Sequence, residues 1–207
     1  MKKLAAVTAV LAIALLAGCS SEQPQKPAEK PQPKGPELST GLPVMYKLYV
    51  SAHGWARDAQ PYRLESQVTA DGNGKDGKAA VWRAGFASPS QRGVKPYTWS
   101  GSTAPGAPER GISPGTEDNY NPQNSNTHVF DIAFFKIDSD KAYEVAQKHG
   151  GDKVLEKNAD TPIFYVLDWS SPTNELLWHV IYGESRENAK LRVAVNASTG
   201  DFIRVEK

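Results

Sequence analysis

Beyond residue 42 the chain alternates polar and apolar positions, with two interruptions of helical period. Val44, Leu48, Ala52, Trp55, Ala56 and Ala59 recur at helical spacing after Pro43, a residue suited to the first helical position. This predicts a helix that Pro61 ends. Tyr62, Leu64, Ser66 and Val68 then alternate with Arg63, Glu65 and Gln67, the period of a strand with one wet face. Two more strands are expected, at 79–87 with Trp82, Ala84 and Phe86 on one side and at 94–100 with Tyr97 and Trp99, turning at 88–93. Residues 128–137 are apolar at both parities, which predicts a strand buried on both faces. A second helix is expected from Ser139, as N-cap with Asp140 in the first turn, to Gly150 and Gly151. Strands follow at about 162–169, 175–183, 189–196 and 201–206, the last two joined by a turn containing Thr199 and Gly200.

The two helical stretches head two similar runs. Ala52, Trp55 and Ala56 in the first match Ala142, Val145 and Ala146 in the second; Trp82 with Phe86 matches Trp178 with Tyr182, and Tyr97 and Trp99 fall opposite Val193 and Val195. The echo predicts an α+β fold of two helix-on-antiparallel-sheet halves related by tandem duplication, although two unrelated amphipathic patterns would give part of the same echo. The halves are expected at 42–100 and 127–207, separated by a Gly-, Pro-, Ser- and Asn-rich linker at 101–126 that is too long for an ordinary connection.

Composition changes the picture at the N-terminus. Prolines 24, 27, 31, 33 and 36 alternate with charged residues, and Leu38 is the only large apolar residue of 20–41, so this stretch reads as an extended tether reaching up to about 60 Å. Before it stand Lys2 and Lys3 and an apolar run at 4–18 that ends in Leu16, Ala17, Gly18 and Cys19, the chain's one cysteine. These residues resemble the bacterial lipoprotein signal. The resemblance implies a leader at 1–18, cleavage before Cys19, and a fatty-acylated, palmitate-type membrane anchor on Cys19 at the head of a 19–41 tether. Ser20, where an aspartate would favour retention at the inner membrane, implies the periplasmic side of the outer membrane if the source is Gram-negative. The alternatives are a spanning helix, which needs about 20 apolar residues, and a reactive thiol, which needs a folded electropositive surround. Of 24 Lys and Arg residues, two fall in the leader, leaving 22 against 23 acidic residues. That near-balance offers no single-sign field to recruit nucleic acid.

Residues 138–207 resemble the PepSY-like domains of bacterial envelope proteins, a helix packed on a small antiparallel sheet. The resemblance rests on DSDKAYEVAQKHGG at 138–151, on the strand carrying Trp178 and Tyr182, and on RVAVNASTGDFIRV at 192–205, with 43–100 as a degenerate copy. The helix lacks the acidic dipeptide frequent in that family. The resemblance implies a non-catalytic binding or inhibitory module toward an envelope protein, peptide or peptidase. A structural accessory of an envelope complex is the alternative, with a hydrolase behind it.

Candidate chemistry is sparse. Asp71, Asn73, Lys75 and Asp76 are spaced somewhat like a calcium loop, but Lys75 puts a cation on the metal, Gly77 is one place late and Trp82 stands where a bidentate glutamate belongs. Of the histidines at 53, 128, 149 and 179, only His128 with Asp131 nears ligand spacing, and a hydrolytic metal needs three protein ligands. His179 beside Trp178 reads as a structural histidine. No nucleophile elbow, phosphate-cradling loop or dinucleotide fingerprint occurs, so no catalytic residue, metal or cofactor is expected. The aromatic set reads as core. The opposite strand parity carries Phe164, Val166, Leu177, Ile181, Ile203 and Val205 in the second half but Arg63, Glu65, Gln67 and Arg83 in the first. Phe164, Val166, Leu177 and Ile181 are thus the expected partner-binding face, unless 128–137 or the other half covers them.

Overall fold

The computed structural model describes residues 35–206, so the expected lipoprotein signal, Cys19 and most of the expected tether lie outside the described residues. The described chain is an α+β unit of nine antiparallel strands and three helices. Helix α1 is Gly41–Trp55, followed by strands β1 (Gln60–Gln67), β2 (Val81–Ser88), β3 (Gly93–Ser100), β4 (Gly111–Pro114) and β5 (Asp118–Asn119). Helices α2 (Ser139–Ala146) and α3 (Asp152–Lys157) lead into β6 (Ile163–Ser170), β7 (Glu175–Tyr182), β8 (Leu191–Asn196) and β9 (Phe202–Glu206). The sheet order is β4-β3-β2-β1-β6-β7-β8-β9, with β5 also paired to β3. Two meanders therefore join through β1 and β6, where Leu64 pairs with Leu167.

All three helices lie against one face of the sheet. Val44, Met45, Leu48 and Ala52 of α1 and Ala142 and Ala146 of α2 share one core with Trp82, Phe86, Tyr165, Trp178 and Tyr182, while Val154 and Leu155 of α3 pack at its margin. The two indoles are used alike. Trp82 Nε1 donates to the Ser39 carbonyl at 2.8 Å and Trp178 Nε1 to the Ile137 carbonyl at 2.8 Å, each carbonyl two residues ahead of a helix. Fully buried tryptophans keep a partner for the indole N–H, and here that partner fixes where each helix enters. The rings meet edge-on, 6.3 Å between centroids.

The helix N-termini share their caps. Asp138 accepts from Ser139 N–H at 2.6 Å and also from Leu42 N–H of α1 at 2.8 Å. Ser139 Oγ accepts from Gly41 N–H at 2.9 Å and donates to the Gly77 carbonyl at 2.6 Å. The residue expected as the cap of α2 thus serves α1, whose own N-cap Thr40 makes no side-chain hydrogen bond, and Asp138 caps α2 instead. Gly77, at φ +72°, brings its backbone so near α2 that a Cβ would sit 2.3 Å from Asp140 N.

Three segments differ from expectation. Residues 128–137 form no strand: Asp131 caps a 3-10 turn at Ile132–Phe134 through Ala133 N–H at 2.8 Å, a local bond that competes with a ladder. Phe130 and Phe135 are buried and Phe134 is 47% exposed, and Phe135 packs on Trp178, so the segment lies on the helix side of the sheet. The second helix does not close at Gly150 and Gly151; a π-turn at Gln147–Gly151, with Gly150 at φ +111°, carries it into α3. The 101–126 stretch supplies β4 and β5, edge strands where Gly111 and Pro114 are tolerated because one side makes no ladder. The ordered unit also begins inside the expected tether. Glu37 N–H bonds the Gly101 carbonyl at 2.9 Å, and Ser39 exchanges two backbone bonds of 3.0 Å with Ala79. Among the described residues no helix is long and apolar enough to cross a membrane.

Candidate functional site

The face of the sheet away from the helices is where ionisable groups gather. Antiparallel register puts Asp168 of β6 opposite Leu177, His179 of β7 opposite Ala194, and Arg192 of β8 opposite Glu206. His179 sits between two carboxylates: Nε2 is 3.1 Å from Asp168 Oδ1 and Nδ1 is 2.9 Å from Glu206 Oε2. With a hydrogen on each nitrogen, the imidazolium donates to both. Arg204 donates to Glu206 Oε1 at 3.0 Å, and Arg186, in the loop between β7 and β8, reaches to 3.8 Å from Asp168 Oδ2. Arg63 of β1 pairs with Glu65 at 3.1 Å beside them.

The charges set one another's titration. Burial alone would lower the His179 pKa, but hydrogen bonds to Asp168 and Glu206 and their charge outweigh it and raise the value above 6.5. Burial would raise Asp168, yet its His179 hydrogen bond and the charges of His179, Arg63 and Arg186 hold it below 3.8. Burial opposes the shift of Glu206 too, and His179, Arg204 and Arg192 bring it below 4.5. The cluster is therefore built for a cation between two anions.

Two grooves flank it and meet at Arg186. One, of about 410 Å³, runs over Val68, Phe164 and Val166 between Arg63 and the 184–187 loop. The other, of about 490 Å³, is lined by His179, Arg186, Arg192, Arg204, Val205 and Glu206. Arg186 Nε and one terminal nitrogen are buried without a hydrogen-bond partner.

The residues expected to form an apolar partner face lie on this side of the sheet but are mostly buried. Leu177 and Ile181 are fully buried and Val166 is 2% exposed, so of the four only half-buried Phe164 offers appreciable surface. The 128–137 segment does not cover them, since it packs on the other side. Ile203 and Val205 leave that parity: a register shift between Ala194 and Val195 puts Arg204 and Glu206 opposite Ala194 and Arg192, and pairs Val205 with core-facing Val193. His128 stacks on Trp169 at 5.8 Å, while Asp131 is engaged with Ala133 N–H. His149 stacks on Phe202 at 3.6 Å, and His53 Nδ1 lies 3.0 Å from the Tyr49 carbonyl. Asp71 accepts from Ser102 Oγ, from Thr103 N–H at 2.7 Å and from Ala104 N–H at 2.9 Å, tying its loop to the start of the 101–126 stretch. Among the described residues no group of three or more His, Cys, Asp or Glu is placed to hold a metal. His179, read from sequence as structural, is the centre of the site. The available signal was the parity it shares with Asp168 and Arg192.

No protein-family model matches the chain, and neither a curated protein nor a solved structure is significantly similar to it.

Proposed function

We propose that the protein is a lipoprotein of the bacterial envelope, anchored through Cys19, whose two PepSY-like halves arose by tandem duplication and act as a non-catalytic binding or inhibitory module toward a protein or peptide. The duplication is supported by the like use of Trp82 and Trp178 and by the paired meanders either side of β1 and β6. The anchor is supported by the sequence of 16–19. Binding rests on one observation: all helices pack on one face, and the other carries two grooves that meet over a fixed set of charges. Rigid strands position that set, as recognition of a specific partner requires.

The test is site-directed photo-crosslinking in membranes of the source organism. A crosslinking residue at Val68, 44% exposed in the smaller groove, is expected to capture one defined partner, whereas one at Val50, 72% exposed on α1, captures none. Capture at Val50 alone, or at neither, overturns the assignment of the binding face. Cys19→Ala is expected to abolish labelling by a fatty-acid analogue, and a labelled variant would remove the anchor.

A further inference from the structure

We infer that the paired grooves recognise an acidic segment of a polypeptide, with a carboxylate held by Arg186 and Arg192 and a neighbouring aliphatic side chain seated over Val68 and Phe164; this rests on the binding reading above.

The charges decide the first half. The larger groove presents three arginines to one glutamate, and Glu206 is already engaged on both oxygens, by His179 at 2.9 Å and Arg204 at 3.0 Å. Asp168 beneath is likewise held by His179 at 3.1 Å. Arg192 makes no ion pair among the described residues, and the pairing of Arg186 with Asp168 is, at 3.8 Å, too long for a hydrogen bond. The buried donors of Arg186 lack acceptors, and an incoming carboxylate supplies two in the fork geometry a guanidinium favours. His179 also lines this groove and adds a fourth positive group when protonated.

The second half follows from what adjoins. Arg186 lines both grooves, so a group bound at its guanidinium is next to the smaller groove, where Val68 is 44% exposed and Phe164 half-buried. Glu65, Glu184 and Glu187 rim that groove, which disfavours a second acidic residue there and leaves an apolar one. An extended chain advances about 3.3 Å per residue and turns successive side chains to opposite sides, so a bent or alternating Leu-x-Glu arrangement reaches both subsites. A phosphate or lipid headgroup would use the arginines but leave the apolar groove empty.

The test is a titration of the folded protein, followed by the NMR signals of arginine Nε–H groups and backbone amides. The probes are a blocked heptapeptide containing Leu-Gly-Glu-Gly-Leu and its Gln counterpart. The Glu peptide is expected to shift Arg186, Arg192 and β6–β8 amides and to bind at least about tenfold more tightly than the Gln peptide. Raising salt from about 50 to about 300 mM is expected to weaken it. Arg186→Gln with Arg192→Gln, in a protein whose backbone amide spectrum away from the grooves stays native, is expected to remove that preference. Equal affinity for both peptides, shifts elsewhere, or a preference that survives the double variant overturns the inference. So does uptake of the protein by phosphatidylglycerol vesicles through these arginines with no peptide binding. A defined partner crosslinked at Val68 with no Glu preference ends the carboxylate assignment while leaving the binding face in place.

Discussion

At the scale of single residues, His179 converts pH into stability. Its raised pKa means its contribution is complete below pH 6.5 and is lost as pH rises through the folded value. Asp168 and Glu206 are depressed, so theirs is complete above pH about 4.5 and lost as pH falls through their folded values. The cluster is thus expected to stabilise the fold most between pH about 4.5 and 6.5, where the imidazolium meets two carboxylates. His179→Leu leaves those carboxylates facing each other with only arginines for relief, at a cost of about 3 kcal/mol near pH 6, the lower end for breaking a buried pair because Asp168 is 27% exposed. Urea unfolding of both proteins at pH 6 and pH 8 checks this: the gap is expected to narrow at pH 8, and a gap independent of pH would reduce His179 to its volume.

At the scale of elements, seven of the nine strands were legible, β4 and β5 were not, and neither were the side-chain meeting points. Short runs rich in β-branched and aromatic residues around Trp82, Trp178 and Val195, bounded by turn residues, announce these strands, and β2 and β7 are buried on nearly their whole length. The partners of His179, however, lie 11 and 27 residues away, and only the register of β6–β9, with its shift on β8, brings them to one imidazole. Apolar runs misled where polar residues intervene locally, as Asp131 does in 128–137. Capping was half legible: Ser139 marks the start of α2, but nothing local shows that Asp138 and Ser139 also receive Leu42 and Gly41 N–H. Asp138→Ala therefore removes caps from two helices, and an expected loss of about 2–3 kcal/mol follows from about 1 kcal/mol per cap plus the Leu42 donor left unpaired in a part-buried site. Thr40→Ala, at a position with no side-chain cap bond, is expected to cost under about 0.5 kcal/mol. Equal costs in chemical denaturation would mean that the shared cap contributes nothing beyond an ordinary surface residue.

At the scale of the whole molecule, the boundary of the folded unit falls inside the stretch that composition assigns to a tether. Composition alone extends the tether to residue 41, since five prolines and alternating charge carry little apolar surface. Backbone pairing is blind to composition, and Glu37 and Ser39 are held by Gly101 and Ala79, with the Glu37 carboxylate 3.8 Å from Arg110. Ser39 also presents the carbonyl that accepts from Trp82, which ties the end of the expected tether to a core indole. Two deletions separate the regions. Removing 20–34 is expected to leave the thermal midpoint within about 1–2 °C, because such a segment has little to pack with. Extending the deletion through Ser39 takes the Trp82 acceptor and the backbone bonds of Ser39 and Glu37, and leaves a buried indole N–H without a partner. That is expected to cost about 2–4 kcal/mol, a midpoint drop on the order of 5–12 °C for a domain of this size. Equal midpoints for both deletions would place the boundary beyond Ser39 and return residues 35–39 to the tether, whereas a drop with the shorter deletion would mean that 20–34 belong to the folded unit.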